Sequence, residues 1–389
     1  MIIVRPYLNM FDLNYQVAAK GWVNGRRAYF TRPVVSAILK RPFSDSSIIS
    51  CRIMLIYMDD WLAFPMFAGF LRNAQKMRNA GIEFRGISFS EYLKSPRTFD
   101  AHAIFYQIPY FIDRKELSKL AEDLRCRNPD SAISFFDWFA PCDVRFAEFV
   151  DPWVDFYVKK SLPKDPTDRI SRSIGHSDIA DYYSNLCGTE NLPRNWDTPT
   201  SILPKLELAP AFHFSSSLFN YFTQSRCPSS NGRSIDVHAR FATHGDGWYG
   251  AMRSYAKSKI SSISGNVCIA STGLVDRKLY MQELRNSKIC FSPFGYGEIC
   301  WRDYEAIATG ATLLKPDMSH ISTNPDIYIP FETYVPVKWD MSDLDDKIQM
   351  LLENDELRQK IAKTAFDTVR SNVLSDELLI LSKKISNNF

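Results

Sequence analysis

The sequence predicts an α/β protein organised as two domains with mostly parallel sheets, on three observations. Short apolar runs suited to strands alternate with helical stretches along the chain, the pattern of strand–crossover–strand units. Residues 287–316 read as a complete unit of strand, glycine loop, helix and strand. Residues 227–233 (Cys-Pro-Ser-Ser-Asn-Gly-Arg) gather turn-forming residues just before a fresh strand, which marks a linker. A chain of 389 residues is long enough for two domains with separate cores, here divided as 1–228 and 229–389.

In the first domain, residues 51–57 form the first clear buried strand, ending at Met58-Asp59-Asp60. Helical spacing follows over 61–79 and Gly81 closes it. The stretch 84–89 is the next strand, with a brief helix at 91–94, and 101–107 is the third. Asp113 reads as the N-cap of a helix running to 125, and 131–136 is the fourth strand. The aromatic stretch 150–162 is strand-like and leads into a charged, proline-containing loop at 163–172. Residues 177–185 have the composition of a capped helix. The first fifty residues carry weaker signals: a turn at 21–27 and a short element at 33–39.

In the second domain, strands are expected at 235–240 and 266–270, with helices at 248–260 and 276–287. After the central unit come short strands at 327–330 and 334–337. Ser342 caps a helix at 343–352, and two further helices cover 355–370 and 375–385.

The central unit carries the chemistry. Its first strand, 288–292, is stopped by Pro293, and Gly295 and Gly297 give the next loop access to backbone angles closed to other residues. Apolar positions then shift to helical spacing from Ile299, Gly310 ends that helix, and 311–314 supplies a buried strand. Such a loop delivers a helix N-terminus to the carboxyl end of a strand, a place suited to an anion such as a pyrophosphate. Arg302 and Glu305 project from one side of the helix. The guanidinium suits a phosphate, and the carboxylate suits the two hydroxyls of a ribose. The plainer alternative is a surface Arg–Glu pair.

Cys290 to Pro316 resembles the donor-binding signature of GT-B glycosyltransferases, closest to exostosin-like and group-1-like bacterial proteins. Lys315–His320, Thr333–Val335 and Trp339–Leu344 extend the likeness. It implies two Rossmann-like domains facing across a cleft, with a nucleotide-sugar held by the second and the acceptor by the first. By position it assigns Glu305 to the ribose, Arg302 to the phosphates and Ser292, Gly295 and Gly297 to the donor loop. Six residues separate Glu298 from Glu305, where the group-1 pattern has seven. Glu298 therefore reads either as a sugar contact or as a helix cap. By analogy with these folds, the last helix would cross back onto the first domain.

Other residues complete the candidate set. Arg240, at the end of the strand that opens the second domain, or Arg253, could stabilise the leaving diphosphate. The loop His244–Gly247 follows the same strand. Asp60 is nominated as general base because it ends a buried strand, with His176 and Asp178 as alternatives and helix capping as the ordinary role for each. Lys315 could neutralise phosphate or hold the donor sugar, while Pro316-Asp317 reads equally as a turn. Asp343-Leu-Asp345 matches a metal motif by letters but sits at a helix start, where acidic residues are expected. No metal site and no cofactor beyond the nucleotide-sugar substrate is expected.

Composition bounds the partners. A net charge of +3 without a Lys/Arg cluster argues against nucleic acid. With 45% hydrophobic and 23% charged residues the chain reads as a soluble globular protein. The start, Met-Ile-Ile-Val-Arg-Pro-Tyr, has neither the basic nor the long apolar region of a signal peptide, and no window approaches a membrane span. Eight cysteines lie scattered without Cys-x-x-Cys pairs, as buried reduced thiols do. The expectation is a cytoplasmic glycosyltransferase acting on a glycan or lipid-linked glycan, with loose contact to a membrane surface left open. An epimerase acting on the nucleotide-sugar, and a non-catalytic carbohydrate-binding protein, are the rival readings.

Overall fold

The computed structural model describes residues 39–386 apart from 59, 61, 111, 166–176, 192–195, 224–225, 272 and 274. The expected N-terminal strand, the 21–27 turn, most of the 33–39 element, Asp59, His176 and the later part of the 163–172 loop lie outside the described residues.

The first sheet contains β1 (Cys51–Tyr57), β2 (Ile82–Ser88), β3 (Ala103–Tyr106), β4 (Ala132–Asp137) and β5 (Phe156–Lys159). A short β6 (Ser161–Pro163) leaves the sheet, and β7 (Leu206–Leu208) completes it. The order is β2-β1-β3-β4-β5-β7, with every neighbouring pair parallel. The second sheet contains β8 (Ile235–His238), β9 (Ile269–Ala270), β10 (Ser287–Phe291), β11 (Thr312–Pro316) and β13 (Val335–Val337), with β12 (Ile321–Thr323) outside it. Its order is β13-β11-β10-β8-β9, again parallel.

Both sheets thus follow one plan. The first strand lies inside, the second pairs on one side and the third on the other, so the crossover direction reverses next to it. Each is Rossmann-like, and such a reversal opens a crevice at the carboxyl edge. Helices cover both faces, which is why β3, β4 and β11 are buried at every position and read as continuous apolar runs. Phe70, Phe105 and Phe136 form the aromatic centre of the first domain, at ring separations of 5.1–6.0 Å.

Several elements differ from expectation for local reasons. The helix expected over 61–79 is two helices, Pro65–Arg72 and Ala74–Asn79. They break at Asn73, whose side-chain amide donates to the Gly69 carbonyl at 2.9 Å. The stretch 150–162 is a 3-10 turn at Asp151–Trp153 followed by β5 and β6, because Pro152 favours the turn. At 327–330 there is no strand, only a bridge from Pro330 to Tyr334.

The halves are tied together in several places. β6 pairs antiparallel with β12 across the domain boundary. The helix Asp178–Cys187 packs on the helix Gly247–Ser261 of the second domain, and Tyr183 donates to the Trp339 carbonyl at 2.6 Å. The helix Glu377–Lys384 crosses to the first sheet. There the Ser134 hydroxyl donates to the Ile385 carbonyl at 2.7 Å, and Lys384 pairs with Glu207 at 2.5 Å.

The carboxyl edges of the two sheets also meet directly. Gly297, in the loop after β10, lies so close to the loop after β4 that a methyl on it would sit 2.0 Å from the Ala140 carbonyl oxygen. That contact joins the loop after β10 to the loop after β4.

Candidate functional site

The helix Trp301–Thr309 begins two residues later than the apolar spacing suggests, after the N-cap Cys300. Gly310 terminates it in the left-handed conformation, φ 69°, as expected of a glycine there. Gly295 and Gly297 do not adopt positive φ among the described residues, which corrects the expectation that the loop needs unusual backbone angles. Gly297 is required instead by the backbone of the first domain pressed against it.

Glu298 neither caps its own helix nor faces the loop. Its buried carboxylate accepts the Cys142 backbone N–H at 2.9 Å, across the domain boundary. Burial raises its pKa, and the Cys142 contact offsets this only in part.

Ser292 and Lys315 were expected at the donor, and the structure places them in the interior. Asp303 is the centre of their network: it accepts from the Ser292 hydroxyl at 2.5 Å, the Tyr328 hydroxyl at 2.7 Å and the Cys300 backbone N–H at 2.9 Å. The Lys315 ammonium completes it at 3.2 Å. Both charges are fully buried, and a buried ion pair survives only with its remaining atoms hydrogen-bonded. The group supports the glycine loop from beneath.

Arg240 is engaged with Glu283 in a two-pronged ion pair, one arm at 2.7 Å. Asp60 accepts the Leu62 backbone N–H at 2.7 Å, a turn contact two residues on; it does not cap the helix that follows, whose N-cap is Phe64 with no side-chain bond. Asp178 opens a helix whose cap is Ser177. Asp345 is held by the Ser264 hydroxyl at 2.6 Å, a structural partner. Among the described residues no group of three or more His, Cys, Asp or Glu side chains is placed to hold a metal ion.

What converges at the carboxyl edge of β8 and β10 is a pair of arginines. Arg253, on the buried face of the helix Gly247–Ser261, is only 7% exposed. Its Nη2 donates to the Tyr249 hydroxyl at 3.1 Å, and its Nε and Nη1 have no hydrogen-bond partner. Arg302 is partly buried, and its Nε likewise has none. Both guanidinium groups lie near the Phe241 ring, 5.5 and 5.7 Å from its centroid. No carboxylate forms a salt bridge with either among the described residues.

Buried donors without acceptors are uncommon because each forfeits its hydration. Two together are a standing demand for an anion. Burial opposes the Arg302 charge, but Tyr280, Cys300, Cys290 and Glu305 around it outweigh that and keep it protonated. His238, beneath them at the end of β8, is held neutral down to about 3 by burial, with Arg302 and Arg240 adding to the effect.

Glu305 is 2% exposed and accepts from Arg277 of the neighbouring helix at 2.5 Å. The carboxylate is therefore fixed in place one turn below Arg302. Above the arginines, Tyr249 stacks on the exposed Tyr296 of the glycine loop at 3.9 Å and 11°, with Trp248 edge-on at 6.1 Å. The sequence alone does not separate Arg253 from Arg240. The distinguishing fact, that a carboxylate occupies Arg240 and not Arg253, depends on residues more than forty positions away.

No family model and no curated protein matches the sequence. Solved structures with a similar course of chain include an α-glucosyltransferase in complex with UDP and a 13-mer DNA, at 9% identity and TM-score 0.45, covering 87% of this chain and 100% of that one. The T4 phage BGT bound to UDP-glucose gives 11% identity and TM-score 0.42, covering 86% and 99%. The apo structure of OtsA gives 10% identity and TM-score 0.47, covering 86% and 98%.

Proposed function

We propose that this chain is a glycosyltransferase that moves a sugar from a nucleotide-sugar to a glycan or lipid-linked glycan. One observation carries the reading: two guanidinium groups with unpartnered nitrogens, Arg253 and Arg302, at the carboxyl edge of the second sheet where its crossovers reverse. A nucleoside diphosphate group supplies the acceptor oxygens they lack. In this reading Glu305, held by Arg277 one turn deeper, meets the ribose hydroxyls.

The chemistry follows from that charge. As the bond between the sugar and the diphosphate breaks, negative charge accumulates on the leaving phosphate oxygen. Cations already fixed beside it stabilise that state without reorganising. In this reading the arginines carry the diphosphate charge without a divalent ion. The first domain presents the acceptor from the opposite wall, and contact between the two carboxyl edges limits water, the competing acceptor.

The test is a thermal-shift series with UDP, UDP-glucose, GDP and GDP-mannose. A ligand at one hundred times its Kd stabilises the folded state by about 2.7 kcal/mol, several degrees for a chain of this size. Arg253→Met and Arg302→Met should each abolish the shift, while Lys288→Met should leave it unchanged. A shift that survives in both arginine variants, or that no nucleotide produces, overturns the assignment. Release of free nucleoside diphosphate only when a glycan is supplied separates a transferase from an epimerase.

A further inference from the structure

The first domain carries an aromatic shelf that no role has yet claimed. Tyr110 follows β3 by four residues, at the carboxyl edge of the first sheet, and is 51% exposed. Its ring stacks on Phe139 at 4.8 Å and 12°. Phe139 is buried and braced by Trp138 at 5.1 Å. The Trp138 indole N–H is itself fixed on the Ile108 carbonyl at 2.8 Å. Tyr110 is therefore the outermost of a layer of locked rings and offers a flat, rigid face.

The position of the shelf matters. Phe139 precedes Ala140, the residue pressed against Gly297, and Gly297 follows Tyr296, the exposed ring above the arginine pair. The shelf and the arginine site thus flank one contact between the two domains, from opposite sides.

The charges around the shelf identify its ligand. Arg145 is clamped on Asp143 by Nε at 2.7 Å and Nη2 at 2.6 Å, and that carboxylate outweighs the effect of burial and keeps the guanidinium charged. Arg114 has Asp113 and Glu148 beside it. Among the described residues, two guanidinium groups thus have three carboxylates nearby. A polyanion such as nucleic acid needs a surplus of cations on its docking surface, and among the described residues the shelf shows none. An uncharged pyranose fits: its C–H face is apolar and flat, and its rim of hydroxyls can both donate and accept.

We propose that Tyr110, backed by Phe139, is the acceptor subsite and that the acceptor is an uncharged saccharide lying ring-on-ring against it. The inference rests on the glycosyltransferase reading above. It is tested with the full-length chain on an array of uncharged glycans, anionic glycans and duplex DNA, alongside Tyr110→Ala and Tyr110→Phe. The UDP-glucose thermal shift and the melting temperature are measured on each protein.

Uncharged glycans should be retained. Tyr110→Ala should weaken retention about tenfold, and Tyr110→Phe should stay within about twofold, since a ring contact and not the hydroxyl is at work. Retention of DNA or of anionic glycans alone, an unchanged Tyr110→Ala, or no retained glycan at all overturns the proposal. If the nucleotide shift is present but no glycan is held, only the shelf has failed. If glycans are held through Tyr110 but no nucleotide produces a shift, only the donor reading has failed.

Discussion

Gly297→Ala should damage both stability and donor binding, and its magnitude can be worked from the contact. The added methyl carbon would sit 2.0 Å from the Ala140 oxygen, 2.1 Å from the Ala140 carbonyl carbon and 2.7 Å from the Pro141 nitrogen. A carbon tolerates a carbonyl oxygen at about 3.3 Å, so the two loops must part by about 1.3 Å. All three atoms are backbone, and no rotamer change relieves them. Overpacking of this kind costs about 1–3 kcal/mol. The same displacement stretches the hydrogen bond from the Cys142 N–H to the buried Glu298 carboxylate, now 2.9 Å, and a buried group left without its partner costs about 1–3 kcal/mol more. The sum, about 2–6 kcal/mol, is a large share of the stability of an ordinary domain. Urea unfolding followed by circular dichroism measures the first effect, and the UDP-glucose thermal shift measures the second. Gly295→Ala is the control, because its methyl would meet nothing nearer than the Cys300 sulfur at 3.4 Å and the Gly297 carbonyl oxygen at 3.6 Å, ordinary contact distances. If the two variants melt within a degree of each other and respond equally to nucleotide, the first domain does not hold the glycine loop and the reasoning fails.

Two further predictions concern buried titratable groups. Lys160 is 5% exposed and donates to the Trp138 carbonyl at 3.0 Å. Burial, aided by Lys159, lowers its pKa from 10.5 to about 8. The folded state therefore holds fewer protons than the unfolded state between those values, so this group's penalty, about 3 kcal/mol at pH 7, fades as pH rises from 8 to 10.5. Lys160→Met should raise the unfolding free energy at pH 7 and converge on the parent by pH 10.5, and a parallel pair of curves would refute the assignment. His213 is buried with Asn372 at 2.9 Å, and burial lowers its pKa from 6.5 to about 4. Here the unfolded chain takes up the proton first, so about 3 kcal/mol should be lost as pH falls from 6.5 to 4. His213→Gln should flatten that part of the urea-unfolding profile, and an unaltered slope would count against it.

Features written in local sequence were legible. The β10–helix–β11 unit, the Asp113 cap and the Gly310 terminus each depend on a few adjacent residues, and the structure has all three. Features that depend on distant partners were not. β6 and β12 are three residues each, carry no periodicity of their own and exist only because they meet. Lys315 and Ser292 read as ligand contacts because a strand end beside a glycine loop is where such contacts occur. Their actual partner, Asp303, sits on the helix face turned inward, and pattern alone does not separate a buried polar network from a binding site. Gly297 was singled out for the wrong property: the demand on it is space, imposed by a loop about 150 residues earlier. Arg253 reads as one more polar residue in a helix until its missing carboxylate is seen in three dimensions.

The crossing of the Glu377–Lys384 helix onto the first sheet has an effect on how the molecule is made. Ser134 on β4 finds its partner, the Ile385 carbonyl, 251 residues further along the chain. A ribosome finishes the six strands of the first sheet long before that partner has been synthesised. During translation, the patch on the first sheet that this helix covers stays bare until residues 377–385 emerge. The first sheet thus gains its full set of contacts only once this helix has docked.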